Sequence, residues 1–120
     1  MAKMAMGELE SAVMDVLWDA QGPMIPGEVH EQLSTGRPLA YTTVMTILVR
    51  LWQKGRLERE VQGRAYAYRP IQTREEHAAF RMAELLVATN DRSLALSYFV
   101  AGLRPRERAR LRRLLEQGKG

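Results

Sequence analysis

At 120 residues, with 46% hydrophobic and 27% charged side chains, the chain has the composition of one folded domain, or of a small domain with an assembly arm, and not of a disordered tail. It contains no cysteine, which excludes disulfides, thiolate zinc sites and cysteine nucleophiles. The net charge of +4 is unevenly placed: residues 1–36 set one basic against six acidic side chains, residues 37–70 seven against two, and residues 71–120 ten against six. A basic middle segment is the electrostatic footprint expected for phosphate binding. The opening "MAKMAMGELE" has no apolar signal core. The longest apolar run, "LALSYFVAGL", is about half the roughly 20 residues a membrane span needs. A cytoplasmic protein without membrane insertion is the expectation.

In chain order, Leu9, Val13, Val16 and Leu17 form the apolar stripe of a first helix, expected from about Glu8 to Asp19. Gly22 and Pro23 stop it. "IPGEVHEQLS" predicts a short second helix with Pro26 near its first position and Val29 and Leu33 facing inward. After the turn "STGRPLAY", a third helix is expected from about Tyr41 to Lys54, closed by Gly55 at a C-cap position. The period then changes from 3.6 to 2. Leu57 and Val61 alternate with Glu58, Glu60 and Gln62, and Tyr66 and Tyr68 alternate with Ala65, Ala67 and Arg69. Gly63 in "QGR" permits the tight turn between two strands, and Pro70 ends the second.

The third helix carries the functional signal. Val44, Ile47, Leu48 and Leu51 have the spacing of one buried face. Opposite them stand Thr42, Thr43 and Thr46, β-branched residues that an ordinary solvated helical face has no reason to prefer. Three helices, the third polar outside, followed by a hairpin with Arg64 at its tip predict a mainly α fold, a winged helix-turn-helix. In such a domain the third helix enters the major groove. Threonine suits that place because its hydroxyl bonds a base or phosphate while its methyl packs on a thymine methyl. Arg50 is placed to reach the backbone and Arg64 to meet phosphate or the minor groove. The candidate DNA-binding set is Tyr41, Thr42, Thr43, Met45, Thr46, Arg50, Lys54 and Arg64.

The winged helix is assigned to residues 1–71 and a helical dimerisation region to residues 72–120. Ala79, Phe80, Ala83, Leu86 and Val87 keep helical spacing from Thr73, the expected N-cap, to about Asn90; Ser93 is the expected cap of the next helix. "LRPRERARLRRLLEQ" puts Leu103, Leu111, Leu114 and Leu115 on one side and six arginines elsewhere, as a solvated face paired to Glu107 and Glu116. Three short helices cannot bury this apolar surface alone, so either a second copy or the winged part must cover it; a homodimer is expected. Its contacts would be Phe80, Leu86, Leu96, Phe99, Leu103, Leu111, Leu114 and Leu115. His30 and His77 lack ligand spacing, Glu75 and Glu76 suit a helix's first turn, and Trp18 and Trp52 read as packing residues. No phosphate loop, carboxylate pair or nucleophile triad is present, so no enzyme, metal or cofactor is expected. The alternative reading is a winged-helix protein-interaction module in a hetero-complex.

The stretches "GELESAVMDVLW", "AYTTVMTILVRLWQKG" and "REVQGRAYAYRP" resemble the penicillinase-repressor family (BlaI/MecI/CopY-like) over nearly the whole chain. The resemblance implies a homodimeric transcriptional repressor on a palindromic double-stranded operator, with recognition contacts at Thr42, Thr43, Met45, Thr46 and Arg50. In relatives controlling β-lactam resistance, a membrane sensor protease triggers cleavage of the repressor and the operator is released. The family's scissile Asn–Phe pair corresponds here to Ser97 and Tyr98. Staphylococcal-type members carry basic residues where this chain has Thr42 and Met45, which implies a different operator. The copper-sensing branch needs a C-terminal cysteine cluster that this chain lacks.

Overall fold

Prolines and glycines punctuate the chain where the elements begin and end. The computed structural model describes residues 6–36 and 38–118, so Arg37, within the expected turn "STGRPLAY", lies outside the described residues. The order is α1 (Met6–Asp19), α2 (Pro26–Leu33), α3 (Tyr41–Gln53), β1 (Leu57–Gln62), β2 (Ala65–Pro70), α4 (Arg74–Ala88), α5 (Arg92–Ala101) and α6 (Pro105–Gln117). Two compact units meet between His77 and Ala78, and the first turn of α4 belongs to the first of them.

In the first unit, α1 to α3 pack on the base of the hairpin. The core gathers Val13, Met14 and Leu17 of α1, Val29 of α2, Val44, Ile47, Leu48 and Leu51 of α3, Leu57 of β1 and Tyr68 of β2. Burying each large apolar side chain contributes about 1.5–3 kcal/mol, which is what keeps the threonine-bearing turns of α3 helical despite modest propensity. Helix α3 ends as expected at glycine. Gly55 adopts φ +78°, and the N–H groups of Gly55 and Arg56 donate to the carbonyls of Trp52 and Leu51, closing a Schellman motif.

The buried edge of α1 is rotated from the expected stripe. Glu10, Val13, Met14 and Leu17 are buried, whereas Leu9 and Val16 are only partly so. A carboxylate is tolerated there because the Lys54 ammonium donates to both Glu10 oxygens, at 3.1 and 2.8 Å. Removing the cation leaves a nearly buried charge without its partner. Lys54→Met is therefore expected to lower stability by about 1–3 kcal/mol, read as a fall in Tm, and Glu10→Gln in the same chain should recover part of the loss.

The antiparallel register pairs Leu57 with Pro70 and Gln62 with Ala65, leaving Gly63 and Arg64 as a two-residue loop. Gly63 takes φ +65°, the first-position requirement of a II′ hairpin. The hairpin also has a neighbour that periodicity does not predict. Met24 forms a bridge to Tyr68, each N–H donating to the other's carbonyl at 2.9 and 2.8 Å.

The helices that follow the hairpin begin on well-formed caps. Thr73, just before α4, accepts from the Glu76 N–H at 3.0 Å while Glu76 accepts from the Thr73 N–H at 2.9 Å, a capping box. The cap of α5 is Asp91, not Ser93: Asp91 Oδ1 accepts from the Leu94 N–H at 3.0 Å, and Ser93 lies inside the helix. An extended aspartate reaches the N3 amide and adds a negative charge where the helix dipole favours one. Glu107 is drawn to the backbone as well, accepting from the Arg104 N–H at 2.8 Å. The expected Glu107 and Glu116 ion pairs are absent: among the described residues, none of the ion pairs involves α6. No residue of α4, α5 or α6 is fully buried.

Candidate nucleic-acid interface

The face of α3 opposite the core is a continuous polar and apolar surface. Tyr41, Thr42 and Thr46 are exposed, and Thr43, Met45 and Arg50 are half-buried. Met45, Thr46, Val49, Arg50 and Gln53 line a shallow depression along it. The Thr46 hydroxyl donates to the Thr42 carbonyl at 2.9 Å, which fixes that side chain on the helix surface. The N-cap is Ala40, which offers no side-chain acceptor, and the first turn has no acidic residue. Outward N–H groups and the positive end of the helix dipole thus have no carboxylate of the helix's own first turn beside them, the electrostatics that favour a phosphate.

The approach to α3 is held by His30. Its Nε2–H donates to the Leu39 carbonyl at 2.6 Å, and its ring meets Tyr41 edge-on with centroids 5.8 Å apart. His30 is thus a satisfied, partly buried residue that fixes the turn preceding α3. His77 lies 5.5 Å from the Trp18 ring, and Arg56 Nη2 stands 3.1 Å from its Nε2. Trp18 Nε1 donates to the Gln72 carbonyl at 2.9 Å.

Of the expected contact residues, Thr42, Thr43, Met45, Thr46 and Arg50 share the outer surface of α3, Tyr41 stands at its start, and Arg64 is exposed at the hairpin tip. Lys54 is placed differently, at the far end of α3 with its ammonium on Glu10. Arg59 is a residue that pattern reading passes over. Its guanidinium carbon lies 3.5 Å from the centroid of the Trp52 ring and 4.0 Å from that of Tyr66, contacts worth about 0.5–1 kcal/mol each at an exposed site. Trp52 is accordingly not a core residue. The partners belong to a helix and a hairpin, and the only advance signal is the presence of an arginine and a tyrosine on one face of the hairpin.

The Arg74 guanidinium departs from its ordinary titration. Desolvation works against the Arg74 charge, but hydrogen bonds and coulombic attraction from Asp19 and Asp15 outweigh it and push the pKa up. A guanidinium stays charged in either case, so this is an anchor for the start of α4 and not a switch. Among the described residues no group of three potential metal ligands occurs, and no helix is long and apolar enough to cross a membrane.

The profile of the Penicillinase repressor family matches residues 6–117. The chain is 42% identical over 121 residues to the "Transcriptional regulator BlaI" of Mycobacterium tuberculosis, in strains CDC 1551 and H37Rv alike, covering 98% of this chain and 88% of the relative. Among solved structures it is similar to the DNA-binding domain of the repressor BlaI, with 29% identity and a TM-score of 0.52 over 63% of this chain and 93% of that one.

Proposed function

The chain belongs to the penicillinase repressor family, and from that premise we propose that it is a homodimeric, BlaI-type transcriptional repressor that lays α3 in the major groove of a palindromic operator. The observation that carries the reading is α3 itself: a fully buried Val44–Ile47–Leu48–Leu51 stripe backs an open face of threonines, Met45 and Arg50 with no carboxylate near its start. Thr42, Thr43, Met45 and Thr46 read base edges, Arg50 and Tyr41 meet the backbone beside them, and Arg64 brings the wing to the adjacent groove or phosphates. Lys54 contributes through Glu10 to the stability of the reading helix.

Residues 72–120 form the dimerisation region. A region with no fully buried side chain, whose Phe80, Leu96, Phe99, Leu114 and Leu115 stand exposed, needs a second copy to cover them. Leu86, Leu103 and Leu111 complete that interface. The regulated genes encode β-lactamase or related functions, and a sensor-linked protease relieves repression by cutting in the C-terminal region, at or near Ser97–Tyr98. The protein works in the cytoplasm as a regulator, without catalysis or cofactor.

Selection of bound fragments from random duplexes tests the reading. A palindromic consensus is the expected result; recovery of no preferred duplex, with protein partners held equally at low and high salt, points instead to a protein-interaction module. Arg64→Ala refines the test. It should weaken binding to all duplexes similarly and reduce the salt slope by about one. A loss confined to one base position means that the wing reads sequence directly.

A further inference from the structure

We infer that Arg59 is a positioning residue that sets the orientation of the wing against α3. The register places Arg59 opposite Tyr68 and Val61 opposite Tyr66, all on one face of the hairpin. That face is buried only at its base, by Leu57 and Tyr68; towards the tip Val61 is 72% exposed and Tyr66 is open to solvent. A two-stranded hairpin extending beyond its core has little stability of its own in water. Arg59 is the residue that ties this outer part back to the reading helix, because its guanidinium bridges Tyr66 on β2 and Trp52 in the last turn of α3. No carboxylate draws it away: among the described residues it has no ion pair, and Glu58 on the other face is taken by Arg69 at 3.1 Å. Arg64 at the tip therefore reaches DNA from a direction that Arg59 sets. This role rests on the repressor reading.

The test uses the full chain, the selected operator duplex, and the variants Arg59→Ala, Arg64→Ala, both together, and Tyr66→Leu, which keeps every charge. Arg59→Ala should weaken operator binding about tenfold and lower the salt slope by about one, as Arg64→Ala does. The double variant should bind within about twofold of the weaker single variant. Tyr66→Leu should reproduce part of the loss, which a direct phosphate contact by Arg59 would not suffer. In the free protein, backbone relaxation at Gly63 and Arg64 should show increased fast motion in Arg59→Ala while Tm stays nearly constant. Losses that multiply, with the slope falling by about two, or an unchanged wing relaxation, overturn the positioning role alone. A wild-type chain that binds no duplex overturns the repressor reading and this role with it.

Discussion

A fragment ending at Ser97 will sediment largely as a monomer and lose about 10²–10⁴ in operator affinity, while α1 to β2 keep their fold. The truncation deletes Phe99, Leu103, Leu111, Leu114 and Leu115 but leaves the first unit and its Val13–Leu17–Ile47–Leu51 core untouched. A single winged helix reads a short half-site, and tethering makes the second half-site contact intramolecular without adding any new contact. The proposed cleavage point lies inside α5, where the Ser97 hydroxyl donates to the Ser93 carbonyl at 3.1 Å and Tyr98 is 73% exposed. Cutting there requires α5 to open locally, so cleavage should track the local stability of that helix. Sedimentation and operator titration of the fragment beside the full chain check the result. A fragment that stays dimeric, or binds as tightly as the intact protein, overturns the tethering mechanism.

Replacing Thr43 or Thr46 by alanine should lower operator affinity by about 1–3 kcal/mol per lost base contact without lowering Tm. The two effects separate because Thr46 faces away from the core and Thr43 stands at its margin. Stability resides in Val44, Ile47, Leu48 and Leu51, each almost wholly buried, and neither threonine is among them. Alanine is also the better helix former by a few tenths of a kcal/mol, so each variant should melt at the parent temperature or slightly above. Calorimetry and titration against the selected duplex provide the check. Unchanged operator binding in both variants would remove these threonines from the reading surface.

The winged fold is legible in the residues because its elements have local signatures. The stripe of α3, the proline opening α2, the glycines ending α3 and turning the hairpin, and the switch to period 2 after Gly55 each lie within a few positions of the structure they produce. What escapes is non-local or too short to be periodic. Met24 pairs with Tyr68 as an isolated bridge, and one residue carries no period. Glu10 and Lys54 are 44 positions apart, so a carboxylate in the buried edge of α1 finds its cation only once α3 has packed. Asp91 and Ser93 are both plausible caps from composition, and backbone geometry at the start of α5 chooses between them. The proposed reading face follows from α3 alone, whereas the place of Arg59 depends on how far the hairpin runs beyond the core.

The bond from the Thr46 hydroxyl to the Thr42 carbonyl also has a coding consequence. With its proton committed to the helix, that oxygen would meet the groove of the proposed operator complex as an acceptor alone. A base edge facing it must supply the proton, which adenine does through N6 and cytosine through N4, whereas guanine and thymine present acceptors there. At the operator position under Thr46, selected sequences should therefore carry an amino group on the facing edge, and substituting the base that lacks one should repel the reader by crowding lone pair against lone pair.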